Sequence, residues 1–276
     1  MKRLTWLGIF LAILLLVSVP VFGQDAVKIG ANLEMTGSVA AYGQMINEGI
    51  ELIRDIVGTE VLGKQIEYVL VDNKSDKVEA ANAATRLIDK EKVVAIIGPA
   101  ISGSMLSAGP ICEEKKIPQI SATSTNPLVT QDKKYSFRAT FIDSYQGLAA
   151  AQYAYVDLGA KSVAILSDIA QDYCVALGNF FKDAYEKLGG EVLTVQHCKS
   201  GDQDFSAQLT TIMNLNPDVI YLPNYYTEIA LICRQARDLG YEGKMLGGDG
   251  SDAPELVDIG GDAVEGFYFT AHGDTE

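Results

Sequence analysis

Side chains for catalysis and metal binding are scarce in this sequence. Its 276 residues include two histidines, His197 and His272, and four cysteines. No CxxC pair or His-paired spacing typical of a metal site is present. The sequence also lacks GxSxG, GxxxxGK followed by Ser or Thr, HExxH, and a GxGxxG loop after a predicted strand. We therefore predict no metal, no cofactor and no enzyme activity, and we interpret Ser102, which has no identifiable base, as a hydrogen-bond donor.

Positive charge is also scarce. Lys and Arg number 22 against 36 Asp and Glu, which gives a formal net charge of −14. A chain this acidic is a poor partner for nucleic acid or for an anionic membrane surface. We therefore predict that the protein binds no nucleic acid.

One long apolar run is present, at the N-terminus. Residues 1–23 begin with Lys2 and Arg3, continue with an apolar stretch at 4–19 and end in Val21-Phe22-Gly23. The stretch is shorter than the ~20 residues that span a bilayer, and its layout is that of a secretory signal peptide. No cysteine stands at its end for lipidation. The sequence predicts a soluble periplasmic protein that is not lipid-anchored.

Beyond this segment, short apolar stretches alternate with helical ones. Helices are predicted at residues 40–57, 76–91, 105–116, 146–158, 174–188, 205–214 and 228–239, and strands at 26–33, 65–71, 93–97, 117–120, 135–139, 161–166, 192–196, 219–222, 245–246 and 265–271. Strict alternation favours parallel sheets with helices on both faces. Gly, Asp and Ser residues near position 143 indicate a hinge. We predict an α/β fold of two doubly wound lobes with a cleft between them.

Two of the predicted strands end in small hydroxyl residues. Ser102 and Ser104 follow the strand at 93–97, and residues 121–126 follow the strand at 117–120 with the sequence SATSTN. In a parallel sheet both clusters fall at the same edge. Hydroxyls beside the N-terminus of a helix can bind a small anion such as a carboxylate. The alternative is that both clusters are ordinary helix caps and turns.

Four segments together resemble one known family. In chain order they are LEMTGSVAAYG, AIIGPxxSG, IPQISATSTNP and LNPDVIYLPNYYTE. They resemble the leucine/isoleucine/valine-binding family, the substrate-binding proteins of branched-chain amino-acid ABC transporters, which have the type I periplasmic-binding fold. The resemblance implies a monomer that captures an amino acid in the cleft and delivers it to a transporter permease. The alternatives are a ligand-sensing domain that reports to a receptor and a secreted α/β enzyme.

The resemblance also implies a domain layout. The signal peptide at 1–23 is followed by a first lobe at 24–142 and a second lobe at 143–270, and residues 271–276 begin a return to the first lobe. In the family the chain continues for several more elements. We therefore expect the C-terminal part of the first lobe to be missing from this sequence.

Four polar residues are assigned to the ligand by this resemblance. Ser102 matches the position that holds the ligand carboxylate, and Thr123 and Thr125 match positions that contact carboxylate and amine. Asp249, in GGDGSD, matches an acidic residue that pairs with the ligand ammonium, where the family often has the longer Glu. The alternative for Asp249 is an Asx turn in a Gly-rich loop.

Aromatic residues and a second aspartate complete the expected site. Tyr42 matches an aromatic residue of the cleft wall, and Tyr173 and Tyr225 match tyrosines that close over the ligand; simple packing is the alternative for each. Asp143 matches a hinge aspartate near the amine, and it is also a candidate helix cap. Met105 is a further candidate for the side-chain pocket.

The cysteines allow one pairing to be proposed. Cys174 begins a predicted helix just after a strand, and Cys198 ends the next strand, so both lie at the same edge of a parallel sheet. Export permits disulfides, and we favour a Cys174–Cys198 bridge. Free buried thiols are the alternative.

Overall fold

A computed structural model describes residues 26–273. The predicted signal peptide at 1–23 lies outside these residues. None of the helices in the described part of the chain is both long enough and apolar enough to cross a membrane.

The first sheet has six strands in the order β2-β3-β1-β4-β5-β6. Its strands are β1 (Val27–Leu33), β2 (Glu60–Val61), β3 (Lys64–Asp72), β4 (Ala95–Ile97), β5 (Gln119–Ser121) and β6 (Ser136–Arg138). All pairs are parallel except the short β2–β3 hairpin. The part of the molecule built on this sheet is called lobe 1.

The second sheet has five strands in the order β11-β10-β9-β7-β8, and every pair in it is parallel. Its strands are β7 (Ser162–Asp168), β8 (Glu191–Cys198), β9 (Val219–Leu222), β10 (Lys244–Gly247) and β11 (Phe267–Phe269). The part built on it is called lobe 2. These two parallel sheets confirm the predicted α/β architecture.

Eight α-helices connect the strands of the described chain. They are α1 (Ala40–Val57), α2 (Lys77–Thr85), α3 (Ser102–Lys115), α4 (Asp143–Gln152), α5 (Asp172–Lys187), α6 (Ser206–Leu215), α7 (Tyr226–Asp238) and α8 (Pro254–Gly260). The side chain of Asp76 accepts hydrogen bonds from the Val78 and Glu79 N–H groups, so it caps α2. Asp143, by contrast, does not cap a helix. It is the first residue of α4 and makes no capping hydrogen bond, so its predicted cap role is wrong.

The hydrophobic core is larger in lobe 2 than in lobe 1. In lobe 2 the rings of Phe181 and Tyr221 stack with centroids 3.7 Å apart, and Tyr185 stacks on Phe181. The lobe 1 core holds Leu87 and Ile96 among smaller side chains. Burial of aromatic rings contributes strongly to core stability. We therefore expect the core of lobe 2 to contribute more to the stability of the described structure than the core of lobe 1.

One face of the lobe 1 sheet carries exposed apolar side chains. Strand register places Leu70, Ala31, Ile97, Ile120 and Phe137 in a single row across the sheet. Leu70, Ile120 and Phe137 in this row are 37%, 42% and 47% exposed. Helices α2 and α3 cover the opposite face, so the lobe 1 sheet is well covered on one side only.

The predicted disulfide is absent. All four cysteines are free and buried. Cys198 lies opposite Asp168 in the β7–β8 register, and Cys174 lies in the first turn of α5, so the shared sheet edge was predicted correctly. A disulfide also needs a narrow range of Cβ placements, which a shared edge does not guarantee. Burial raises the pKa of Cys198 to about 12, so this thiol stays protonated and packs as a small apolar side chain.

Candidate functional site

A cavity of about 180 Å³ lies between the two lobes. It is lined by Tyr42, Met45, Ile46, Ala100, Ile101, Ser102, Thr123, Tyr173, Tyr225, Asp249, Gly250, Asp252 and His272. Drug-sized ligands occupy cavities of ~300–1,000 Å³. The cavity is therefore sized for a smaller molecule.

Six of the eight residues predicted to bind ligand line this cavity: Tyr42, Ser102, Thr123, Tyr173, Tyr225 and Asp249. Thr125 and Asp143 are fully buried behind the wall and do not line it. Met105 is also buried and does not line the cavity. The structure therefore brings most of the predicted set together at the cavity and leaves Thr125, Asp143 and Met105 out of its lining.

A buried carboxylate organises the hydroxyl-rich end of the cavity. Glu34, at the end of β1, accepts hydrogen bonds from the N–H groups of Ala100 (2.9 Å) and Ile101 (3.4 Å). Burial raises the pKa of Glu34. These two N–H groups are thus occupied by a residue of the protein and are not free for a ligand. The hydroxyl groups of this loop remain as candidate donors.

Ser102 is the first of these hydroxyls. Its Oγ accepts a hydrogen bond from the Asn126 N–H at 3.2 Å, and it makes no helix-capping bond because Ile101 is the N-cap. The hydroxyl proton is not used in any hydrogen bond within the described chain. Ser102 can therefore donate this proton into the cavity.

Thr123 lies on the loop after β5 and lines the same cavity as Ser102. Its Oγ1 donates to the Ala100 carbonyl at 2.8 Å, while its N–H makes only a long contact of 3.4 Å with Ser121 Oγ. Ser124 Oγ donates to the same Ala100 carbonyl at 2.8 Å. These bonds join the loop after β5 to the loop that carries Ala100. The Thr123 N–H is therefore held at the cavity wall, where its one long contact leaves it able to donate to a ligand.

Asp249 supplies negative charge at another part of the cavity wall. It opens a short turn after β10, where its Oδ1 accepts from Gln146 Nε2 at 2.9 Å and its N–H donates to Gln146 Oε1 at 2.7 Å. Its Oδ2 is 3.0 Å from His272 Nε2. The side chain bonds distant residues rather than its own loop, so it does not form an Asx turn. Among the described residues that line the cavity, no Lys or Arg is present to neutralise it.

A second carboxylate lies behind Asp249. The Asp143 Oδ1 accepts from Gln146 Nε2 at 3.3 Å, and its Oδ2 has no hydrogen-bond partner in the described structure. Burial, together with the nearby charge of Asp249, raises the pKa of Asp143 to about 7. Gln146 thus connects Asp249, which lines the cavity, to Asp143, which is fully buried behind it. A cation placed against Asp249 would also stabilise the ionised form of Asp143.

Tyrosines from both lobes form the aromatic wall. Tyr42 of lobe 1 makes edge contacts with Tyr225 and Tyr226 of lobe 2, with centroids 6.0 and 5.2 Å apart. Tyr225 stacks on Tyr173 at 5.2 Å. The Tyr42 hydroxyl donates to the Gly250 carbonyl at 2.5 Å, and the Tyr173 hydroxyl accepts from the Gly250 N–H at 3.0 Å. Burial raises the pKa values of Tyr42, Tyr173 and Tyr225 well above the usual value, so these three side chains remain neutral.

The cleft is closed in this structure. The Ala41 N–H donates to the Tyr226 hydroxyl at 3.2 Å, and Thr227 Oγ1 donates to the Ser38 carbonyl at 3.1 Å. In addition, Asn126 Nδ2 donates to the Asp172 carbonyl at 3.0 Å. Each of these bonds joins lobe 1 to lobe 2, so the two halves are held together around the cavity.

Sequence reasoning missed two polar residues that organise the site. Gln146 and His272 both bond Asp249, although they are separated from it by 103 and 23 positions. No local motif marks either residue, because glutamine on a helix and a lone histidine most often have no binding role. The aliphatic residues Met45 and Ile46 were also missed as lining residues, although the helical spacing of α1 places them one turn after Tyr42.

Comparisons with known proteins show the family of this chain. The sequence profile of a family described as "Periplasmic binding protein" matches residues 26–274. A leucine-, isoleucine-, valine-, threonine- and alanine-binding protein of Pseudomonas aeruginosa is 30% identical over 251 residues. The match covers 89% of this chain and 66% of that relative, so this chain spans about two thirds of the relative's length.

Two solved structures are similar as well. A leucine-binding protein, LivK, of Thermotoga maritima is 54% identical with a TM-score of 0.88, and the match covers 90% of this chain and 71% of that one. A branched-chain amino acid transporter substrate-binding protein, LivJ, of Streptococcus pneumoniae, solved with isoleucine, is 37% identical with a TM-score of 0.81, covering 86% and 68%. These matches agree with the predicted type I periplasmic-binding fold. The chain belongs to the periplasmic binding protein family.

Proposed function

We propose that this protein binds a free α-amino acid with an apolar side chain, branched-chain or similar, in the interlobe cavity and delivers it to an ABC transporter. One observation carries the proposal. The cavity has hydroxyl and N–H donors at Ser102 and Thr123, a carboxylate at Asp249, and an apolar wall between the lobes. This set of groups matches the carboxylate, ammonium and side chain of such a ligand.

The charged groups of the ligand need partners because binding between the lobes removes them from water. A carboxylate without hydrogen-bond donors, or an ammonium without an acceptor, would be strongly destabilised there. Ser102 and Thr123 offer donors for the carboxylate. Asp249 faces the ammonium, and Asp143 lies behind it. An aromatic acid without an amine would bring no ammonium group to Asp249, and this favours an amino acid over that class of ligand.

The side chain of the ligand would contact residues from both lobes. Met45 and Ile46 of α1 and the ring of Tyr42 come from lobe 1, while the stacked rings of Tyr173 and Tyr225 come from lobe 2. A cavity of about 180 Å³ suits an aliphatic side chain of modest size. Apolar burial against these surfaces is the expected source of selectivity for branched aliphatic ligands.

The division of contacts between the lobes gives the proposal a mechanism. Donors for the carboxylate lie on lobe 1, whereas the acidic group and two of the tyrosines lie on lobe 2. A ligand that touches both halves interacts most strongly with the closed form, so its binding shifts the equilibrium toward closure. The permease of the transporter would then recognise the closed shape.

We propose a periplasmic location, reached through cleavage of a signal peptide at 1–23, and a monomeric state. The proposed lobe boundaries are 24–142 and 143–270, with residues 271–276 returning to the first lobe. The relatives that are matched over most of this chain are named as binding proteins, and this supports a role in binding rather than catalysis.

The test is calorimetric titration of the ligand-stripped chain from Gln24 onward. The panel contains leucine, isoleucine, valine, an acidic amino acid, an amino-acid amide and benzoate. We expect the tightest binding from one of the branched aliphatic amino acids. Tight binding of benzoate, or of the acidic amino acid, by a folded sample would contradict the proposal.

A further inference from the structure

His272 is held in the cavity wall from three sides. Its Nε2 lies 3.0 Å from Asp249 Oδ2 and its Nδ1 lies 2.7 Å from Thr140 Oγ1. Its ring stacks on Phe141 with centroids 4.6 Å apart and an interplanar angle of 24°. The side chain is 33% exposed and lines the cavity. The imidazole is therefore fixed in place at the carboxylate that we assign to the ligand ammonium.

The charged side chains that act on His272 are the carboxylates of Asp249 and Asp252. The turn that carries Asp249 also presents Asp252, which lines the same cavity. The hinge segment on the other side contributes Thr140 and Phe141, which do not titrate in this range. Asp143 lies further back and is connected to Asp249 through Gln146. Among the described residues lining the cavity, His272 is the one side chain that can carry a positive charge near neutral pH.

We propose that His272 is a specificity-determining residue, whose imidazolium competes with the ligand ammonium for Asp249. This inference rests on the proposed function. A protonated His272 neutralises Asp249 and repels a second cation placed against the same oxygen atoms. Binding of an α-amino acid therefore requires that His272 releases its proton. A ligand with the same carboxylate and side chain but no ammonium binds without this release.

The protonation of His272 in the free protein has a direct cause. The hydrogen bond to Asp249 raises the pKa of His272 above its ordinary value, with burial acting in the opposite direction. A ligand ammonium beside Asp249 lowers that pKa again, because like charges disfavour each other. Below the pKa of the free protein, the affinity for an amino acid then falls by up to ~10-fold for each unit of pH. Above it, this contribution does not change with pH.

Asp143 contributes to the same pH range, and the experiment has to separate the two groups. A ligand ammonium stabilises the ionised form of Asp143, so this residue also releases a proton on binding. The variant His272→Gln keeps an N–H donor for Asp249 but cannot titrate. The variant Asp143→Asn removes the second source of protons. Comparing the two with the unchanged protein assigns each part of the pH dependence.

The experiment measures the affinity for L-leucine and for its α-hydroxy analogue between pH 5 and 8, in buffers of different ionisation enthalpy. We expect leucine binding to release fewer protons in His272→Gln, and its pH profile to become flatter. At the acidic end the variant should bind leucine more tightly than the unchanged protein does. The His272 contribution should be absent for the α-hydroxy analogue. Equal proton release and equal slopes for leucine in both proteins would overturn the inference while leaving the proposed function intact.

A second measurement needs no ligand. The sequence contains two histidines, so proton NMR can follow His272 with the exposed His197 as an internal reference. Asp249→Asn should lower the titration midpoint of His272. An unchanged His272 midpoint would overturn the inference. If leucine does not bind to either protein, the proposed function is contradicted, and the NMR result still decides whether the His272–Asp249 pair exists.

Discussion

Lys77 of lobe 1 and Asp172 of lobe 2 form an ion pair across the seam of the closed cleft, with Nζ and Oδ2 2.6 Å apart. Lys77 Nζ also donates to the Ala170 carbonyl at 2.9 Å. Gly103 lies directly beneath the pair, where an added Cβ would come within 2.5 Å of the Lys77 side chain. None of these residues lines the cavity. The pair is therefore placed to stabilise closure without touching the ligand.

The first prediction is that Lys77→Gln weakens binding of every ligand by the same factor. Exposed ion pairs contribute ~0.2–1 kcal/mol, and apparent affinity scales with the population of the binding-competent state, so a loss of about 1.5–5-fold is expected. The dissociation rate should rise, and the difference from the unchanged protein should shrink at high salt. Stopped-flow fluorescence measures both effects. Lys74→Gln is the control, because Lys74 pairs with Glu79 within lobe 1; a similar loss in that variant would argue against the seam pair.

The second prediction concerns Asp249. Asp249→Asn should weaken binding of an α-amino acid by about 2–5 kcal/mol, because the ligand ammonium then lies in a desolvated site without a counter-charge. Binding of the matching α-hydroxy acid should change much less. Titration calorimetry with both ligands provides the comparison. Asp252→Asn is the matched control, since Asp252 is exposed at the same wall, and it should have a small effect. Unchanged amino-acid affinity in Asp249→Asn would show that the ammonium is bound elsewhere.

The third prediction separates two stacked tyrosines by their hydroxyl groups. The Tyr173 hydroxyl accepts the Gly250 N–H at 3.0 Å, whereas the buried Tyr225 hydroxyl has no hydrogen-bond partner in the described structure. Tyr173→Phe leaves a buried N–H unsatisfied and should lower the free energy of unfolding by about 1–3 kcal/mol. Tyr225→Phe removes an unsatisfied group and should be neutral or stabilising. Urea denaturation without ligand measures both, and equal losses would contradict the assignment.

The fourth prediction is a pH dependence of stability caused by Asp143. Its pKa is raised by burial to about 7, so between about pH 4 and pH 7 the folded state binds a proton that the unfolded state has released. The contribution of this group to stability is therefore largest at acidic pH and is lost as the pH rises through 7. Asp143→Asn avoids this loss, and its amide can donate to the Thr125 Oγ1, which has no partner in the described chain.

Relative to the unchanged protein, Asp143→Asn should therefore gain stability as the pH increases from 4 to 8, by up to about 4 kcal/mol. Denaturant unfolding at intervals of one pH unit gives the difference curve. Asp258→Asn, at an exposed position of α8, is the control for a general charge effect. A flat difference curve for Asp143→Asn would mean that Asp143 is ionised in the folded protein at all these pH values.

The sequence by itself determined the order of strands and helices along the chain and the two hydroxyl-rich loops at one edge of the lobe 1 sheet. Each of these depends on a pattern contained within a short segment, such as helical periodicity or a cluster of small hydroxyl residues. The family resemblance added the positions of Asp249 and the cavity tyrosines. For these features the structure agrees closely with the sequence, because local preference and global fold favour the same arrangement.

Only the tertiary structure decided which polar groups are already paired. Glu34 occupies the N–H groups of Ala100 and Ile101, Gln146 joins Asp143 to Asp249, and His272 contacts Asp249 from a separate segment. The thiols of Cys174 and Cys198 share a sheet edge without forming a bond. Such pairings join residues far apart in the sequence and depend on distances of a few tenths of an ångström. These distances are set by the packing of whole elements, and no local pattern in the sequence specifies them.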